Sequence, residues 1–330
     1  GNADSGGIGD FYYEPPTDFL ALCTSNLPDP EIALPGEHWG AVLYSGNSST
    51  QSITGVGFSP DFTWMKSRNT TDSHELFDVV RGPLQHLESN DTGAEATLSA
   101  SLTSFDSDGF SLGSAGQVNA TSSNYVSWNW LAGGTPTATN VATTGVMTSG
   151  SVFQDGVSNT SFTPADGTYP DKISANTTNG FSIVNGPTSG SATQYAHGLS
   201  QAPELIIAKS MDKTDYWPVG ATVMQADWGK FLVFNSSGGF GTAATIWNDT
   251  APTADVFTIG TENAFNNAGQ NTIFYCIHSV EGYSKVGLYT GNVAANGTFA
   301  YLGFRPAMVM IKGNYSSDWH IFNNKLLGYN

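Results

Sequence analysis

The chain has 330 residues, 11 basic against 28 acidic side chains, and a formal net charge of −17. Eleven scattered cations cannot neutralise a phosphate backbone, which argues against nucleic acid as a partner, and the acidic excess repels an anionic membrane surface. No window approaches the ~18 consecutive apolar residues of a spanning helix, and 39% apolar with 12% aromatic residues excludes a disordered chain.

Apolar runs are short, rich in Val, Ile, Phe, Tyr and Trp, and punctuated by Gly, Pro, Asn and Ser, so the chain reads as all-β with antiparallel sandwiches. Phe11-Tyr12-Tyr13-Glu14-Pro15-Pro16 and the segment 19–27 read as the final strand and exit of an upstream β domain, ending near residue 36. Three stretches then share one register. Gly57-Phe58-Ser59-Pro60, Gly198 to Pro203 and Gly303-Phe304-Arg305-Pro306 are each followed, six residues after the proline, by Lys66, Lys209 and Lys312. Each is preceded, 11 or 12 residues before its glycine, by a strand ending at Gly46, Gly186 or Gly291.

The second half of the unit repeats too. Asp108 to Gly113 matches Asp255 to Gly260, and Asn124 to Trp130 matches Asn271 to Ile277, both 147 residues apart. The expected organisation is repeat 1 over 37–134, a Ser/Thr/Gly-rich connection over 135–179, repeat 2 over 180–282, and the first half of repeat 3 over 283–330, strung out as an elongated modular chain. In Asn124-Tyr125-Val126-Ser127-Trp128-Asn129-Trp130 the alternation puts Val126, Trp128 and Trp130 on one face. Cys23 and Cys276 each sit in an apolar run and read as buried thiols, with a single disulfide as the alternative.

The string Val280-Glu281-Gly282-Tyr283-Ser284-Lys285 with Tyr289-Thr290-Gly291-Asn292 and Gly303-Phe304-Arg305-Pro306 resembles repeats of tail-fibre and other virion proteins of tailed bacteriophages, especially marine ones. Ala196-His197-Gly198-Leu199 and Trp247-Asn248-Asp249-Thr250-Ala251-Pro252 fit the same pattern, and residues 11–28 resemble the end of a concanavalin-like (SPRY-type) domain. Repeat 2 departs by two extra residues between Gly198 and Pro203, a loop change. The resemblance implies an extracellular virion segment of structural and adhesive role, with other virion proteins and a host-surface polysaccharide or receptor as partners. Three-fold symmetry is usual in such fibres, so it also implies a homotrimer. It brings no catalytic residues and no cofactor.

A functional constellation should be confined to one repeat, whereas scaffold residues recur. The three lysines recur, and read as strand-ending guards of a sheet edge rather than as shared anion contacts. Asp106 and Asp108 are the weak metal candidates, in a string that starts like a calcium loop but lacks its later oxygen ligands, so a turn is the preferred reading. The six histidines form no H-x-H or H-E-x-x-H pair. His74 and Glu75 with Asp72 and Asp78 read as a polar cluster, and Trp217 and Trp319 occupy the place of His74 in the other repeats. No G-x-S-x-G elbow and no isolated carboxylate pair marks an enzyme, which leaves a polysaccharide depolymerase as the third reading. Ten N-x-[ST] sequons read as turn chemistry. Trp39, Trp217, Trp228, Trp247 and Trp319 flank Gly- and Asp-rich turns. Asp215 with Trp217, Asp227 with Trp228, and Trp319 are therefore the candidate glycan contacts, because flat rings stack on sugar faces and carboxylates hold hydroxyls. Packing of each Trp in a core or chain interface is the alternative. A stand-alone carbohydrate-binding module is the second functional reading.

Overall fold

The computed structural model describes residues 1–26, 30–165 and 167–326. It divides into two compact units, Gly1–Ala33 and Leu34–Asn330. The first unit wraps around the Asp4 carboxylate, which accepts the N–H groups of Gly6, Ile8 and Ala21 and the Asn26 amide at 2.7 to 2.9 Å. Those hydrogen bonds, with Ala21 foremost, hold the Asp4 carboxyl below its ordinary range. The strand expected over 11–16 is absent: the described residues of this unit hold one bridge, Asn2 to Phe11, and Tyr12, Tyr13 and Leu22 are exposed. Leu27 and Pro28 lie outside the described residues.

In the second unit the all-β expectation holds. Repeat 1 supplies β1 (Trp39–Ser45), β2 (Gln51–Thr54), β3 (Phe62–Ser67), β4 (Glu75–Asp78), β5 (Gln85–Glu88), β6 (Ala96–Thr97), β7 (Leu102–Asp106), β8 (Gly109–Leu112), the short helix α1 (Gly116–Asn119) and β9 (Asn124–Trp130). A large antiparallel sheet runs β1-β9-β3-β4-β5-β6 and a small one β2-β8-β7. Residues 135–179 are no loose connection. They carry β10 (Val152–Gln154), β11 (Val157–Ser158) and β12 (Lys172–Asn176), which extend the large sheet of repeat 2.

Repeat 2 continues with β13 (Phe181–Thr188), β14 (Thr193–Ala196), β15 (Leu205–Ser210), β16 (Pro218–Ala221), β17 (Lys230–Val233), β18 (Gly241–Thr242), helix α2 (Ala244–Trp247), β19 (Val256–Ile259) and β20 (Gln270–Ile277). The order β13-β20-β15-β16-β17-β18 reproduces the first large sheet strand for strand, and β14-β19 its small partner. Repeat 3 contributes one hairpin, β21 (Met308–Ile311) with β22 (His320–Asn323), equivalent to β3 and β4. The strand expected to end at Gly291 does not form, and Leu288 is 73% exposed. Its counterparts β1 and β13 are held by β9 and β20, and no such strand occurs in the described part of repeat 3. An unpaired strand leaves its backbone groups without ladder partners.

Alternation along the strands builds three cores. One face of the first large sheet packs Met65 and Phe77 on Ile53, Leu102 and Phe110 of the small sheet. In repeat 2, Val184, Ile206, Phe274 and Cys276 meet Tyr195, Phe257 and Ile259. The opposite faces bury each other: Phe62, Trp64, Leu76, Val126 and Trp128 of repeat 1 share a core with Phe181, Ile183, Ile207, Val219 and Tyr275 of repeat 2, and Met308, Met310, Trp319 and Ile321 pack against it. Val126, Trp128 and Trp130 do share one face. Because both faces of each large sheet are apolar, repeats 1 and 2 form one compact body, not the separated units of an elongated string. Gly220 shows how close the packing is. A Cβ there would lie 2.4 Å from the Trp228 ring and 2.7 Å from that of Trp247.

Both cysteines are free, and burial pushes the Cys276 thiol well up, so it behaves as a small core residue. Among the described residues no helix is long and apolar enough to cross a membrane.

Candidate functional site

The three recurring lysines show what the register is for. Lys66 Nζ donates to the carbonyls of Ser67 (2.8 Å) and Thr70 (3.1 Å). Lys209 Nζ donates to Lys213 of its own loop (2.7 Å) and to Thr92 of repeat 1 (3.1 Å). Lys312 Nζ donates to Ser317 (2.8 Å) and, in repeat 2, to Gly238 (2.7 Å) and Ser237 (3.2 Å). An ammonium has three donors and no acceptor, and a cluster of carbonyls satisfies it. Each lysine is therefore a loop clamp, neither an edge guard nor an anion contact. Burial pushes Lys209 down to about 8.

His74, Trp217 and Trp319 each stand immediately before the fourth strand of their repeat, as their spacing predicts. Trp217 Nε1 donates to the Asp91 carbonyl of repeat 1 (2.9 Å), while Asp215 N donates to Thr92 O (2.9 Å). Trp319 Nε1 donates to the Val233 carbonyl of repeat 2 (3.2 Å), while Ser317 N donates to Ser237 O (2.8 Å). A joint of lysine, loop N–H and indole, aimed at the loop after the fifth strand of the preceding repeat or, for the Trp319 indole, at the end of that strand, is thus made twice. Contacts of this kind join unlike surfaces and so propagate along a chain of repeats. In repeat 1 the same position is local: Trp64 Nε1 donates to His74 Nδ1 (2.9 Å), and His74 stacks on Trp128.

The candidate glycan contacts separate on burial. Trp217 is 0% and Trp228 1% exposed, so both belong to the core and not, as expected, to the surface. The Trp228 indole donates to Thr222 Oγ1 (3.2 Å) and meets Trp247 edge-on. Asp215 pairs with Lys213 (3.0 Å), and Asp227 accepts Gly229 N (3.1 Å), a turn contact. Trp39 packs edge-on against Trp130, and Trp247 is fully buried. Trp39 and Trp319 are partly exposed, and of the tryptophans among the candidate glycan contacts only Trp319 keeps an open side. With Asp318, Ile321, Phe234, Ser236, Asn90 and His74 it lines a cavity of about 230 Å³ where the three repeats meet.

The calcium-like string is a hairpin turn. Asp108 accepts Gly55 N (3.0 Å) and Gly57 N (2.7 Å), and Asp106 accepts the hydroxyls of Ser104 (2.8 Å) and Ser111 (2.7 Å), so both carboxylates are occupied by the scaffold. Among the sequons, Asn47 and Asn159 behave as turns and accept the N–H two residues on, whereas Asn119 is buried at the end of α1. The polar cluster read around His74 is split by the pleat. Glu75 points away from His74 and bonds His86 Nδ1 (2.6 Å), and Asp78 pairs with buried Arg81 (2.6 Å).

Two pairs of residues went unread in the sequence. Asp61 accepts the Ala132 N–H (2.7 Å), and Glu204 accepts the Ser279 N–H (2.8 Å), each closing the exit from the last strand of its repeat. The acid directly after Pro60 and Pro203 was the available signal. Buried Asn119 donates to Gly113 O (2.7 Å) and Asn266 to Gly260 O (2.5 Å), and both pairs obey the 147-residue offset.

His197, fully buried, uses both ring nitrogens: Nε2 donates to Thr253 O (3.1 Å) and Nδ1 accepts Leu199 N–H (3.1 Å). Only the neutral ring fits, and burial pushes its pKa down to about 4. The unfolded chain binds the proton first on acidification, so the contribution of His197 is whole above about 6.5 and is lost as the pH falls towards 4. Urea unfolding from pH 7.5 to 4.5 should therefore show falling stability, with a shallower slope in His197→Gln.

The described part of Leu34–Asn330 thus defines a tandem β-sandwich repeat protein whose units are joined through their large sheets. Residues 34–156 and 154–330 match the family described as a domain of unknown function (DUF7483), and the chain belongs to that family. The two matches meet in the segment that carries β10; the first covers repeat 1, and the second covers repeat 2 together with the hairpin of repeat 3. No curated protein and no solved structure matches the chain.

Proposed function

We propose that the chain is a structural and adhesive segment of a bacteriophage tail fibre or similar virion appendage, extracellular and non-enzymatic, whose copies assemble as a homotrimer. The observation that carries this reading is the twice-made joint, because a scaffold residue set that recurs from repeat to repeat serves assembly rather than chemistry. Exposed apolar side chains in repeat 3, Leu288, Phe299 and Tyr301 among them, favour association with other copies. The open side of Trp319, flanked by Asp318 and Ser236, favours a glycan as the host-surface ligand, and equally supports the second reading, a stand-alone carbohydrate-binding module.

Light scattering on the full chain separates the two. A mass near three times 34.8 kDa is expected for the fibre segment. A monomer that binds on a glycan array, with binding lost in Trp319→Ala, would replace it by the module.

A further inference from the structure

Glu75, His86 and Glu88 form the one group among the described residues that brings His and carboxylate ligand atoms together in a metal-sized cluster, with all three atoms within 4.8 Å of one another. Register makes the cluster. Glu75 on β4 lies directly opposite Glu88 on β5, and His86, two residues before Glu88, projects from the same face. Glu75 is 1% exposed; one of its oxygens meets His86, and Oε1 is buried with no hydrogen-bond donor beyond what a protonated Glu88 would supply. The Phe77 ring stacks on His86 and walls the site on its inner side.

Two facts separate this triad from scaffold. A buried carboxylate oxygen without a donor is costly, and facing a second carboxylate makes it more so. Repeat 2 does without the set altogether: Pro218, Phe231 and Val233 hold the places of Glu75, His86 and Glu88, with Pro218 opposite Val233 as Glu75 is opposite Glu88. The fold needs only apolar or neutral residues there.

We propose that Glu75, His86 and Glu88 bind one divalent transition-metal ion of the Zn²⁺ or Mn²⁺ class. The donor set points to that class: imidazole disfavours Ca²⁺ and Mg²⁺, which take oxygen, and the absence of thiolate disfavours soft ions. Three protein ligands leave the remaining positions to water, and Glu88 and His86 are only partly buried, so the ion has a way in. The strand that carries His86 and Glu88 runs straight into Asp91 and Thr92, which receive Trp217 and Lys209. The ion therefore braces the loop on which repeat 2 is seated.

The test is titration of the chelator-treated full chain with Zn²⁺ and with Mn²⁺ by calorimetry, alongside thermal unfolding. One saturable site per chain, with Tm raised by several degrees, is expected for at least one of the two ions. Glu88→Gln at the partly exposed ligand, and His86→Phe, the residue type of repeat 2, should each weaken that site at least tenfold with the far-UV circular dichroism unchanged. Stoichiometric binding that survives in both folded variants would overturn the site. So would the absence of saturable binding of either ion, the outcome if Glu75 and Glu88 share a proton instead. Should one variant fail to fold, the other decides.

Discussion

Trp217→Ala should lower the unfolding free energy by about 3–5 kcal/mol, the usual range for deleting a fully buried tryptophan from a core. The ring is 0% exposed, packs against Phe234, and carries the indole donor to the Asp91 carbonyl that ties repeat 2 to repeat 1. Trp217→Phe keeps much of the volume and loses the hydrogen bond, so it should cost clearly less. Urea unfolding of the three proteins checks both values. A solvent-facing sugar platform would behave otherwise: its removal would leave stability within about 0.5 kcal/mol. A wild-type-like midpoint for Trp217→Ala would thus return the residue to the surface.

Arg81→Met should cost about as much, 3–5 kcal/mol, because it strands the Asp78 carboxylate in the interior. The Asp78 and Arg81 side chains are 0% and 1% exposed and lie 2.6 Å apart. Asp78 also accepts the N–H groups of Val80 (3.0 Å) and Arg81 (2.9 Å) and the Tyr275 hydroxyl of repeat 2 (2.9 Å). Arg81 donates in addition to the Leu76 carbonyl (2.9 Å). The pair thus sits where the two large sheets face one another. Asp78→Asn combined with Arg81→Met removes both charges together, and should be less damaging than Arg81→Met alone. Equal loss in the single and double variants would show that the cost lies in packing or in Glu95, which Arg81 also meets at 3.6 Å, rather than in the orphaned Asp78 charge. Tyr275→Phe, which deletes one bond to Asp78, should cost about 1 kcal/mol.

The proposed metal binding at Glu75, His86 and Glu88 and the proposed adhesive role of the Trp319 cavity rest on observations other than these two. The first depends on a cluster peculiar to repeat 1, the second on the meeting of three repeats. The His74–Glu75 dipeptide shows why such sites resist reading from the chain. Adjacent residues on a strand face opposite sides, so His74 goes to Trp64 and Trp128 while Glu75 goes to a strand ten residues further on. A polar cluster in sequence became two unrelated environments. Conversely, H-x-E on β5 is visible only as a spacing of two, and acquires a third ligand through the register of a neighbouring strand.

The order of the main strands of repeats 1 and 2 was determined by the sequence alone, but not the three strands within 135–179. Period-two alternation, turn residues and the repeated Gly, Pro and Lys positions place the strands of repeats 1 and 2, because those patterns are local and the backbone responds to them locally. The equivalence of His74, Trp217 and Trp319 was legible for the same reason, as was the hairpin turn at Asp106 to Gly109. Tertiary structure decided everything that needs a partner. A tryptophan beside a Gly-rich turn reads the same whether solvent or another sheet lies over it, and the sheet of the other repeat is what buried Trp217. A strand-ending lysine reads as an edge guard until loops from two repeats bring their carbonyls to it. The strand expected before Gly291 has the right residues, yet a β-strand is completed by its neighbour, and no counterpart of β9 or β20 stands beside it among the described residues. Burial and pairing belong to the assembled sheets, and composition along a chain carries no record of which face another sheet will cover.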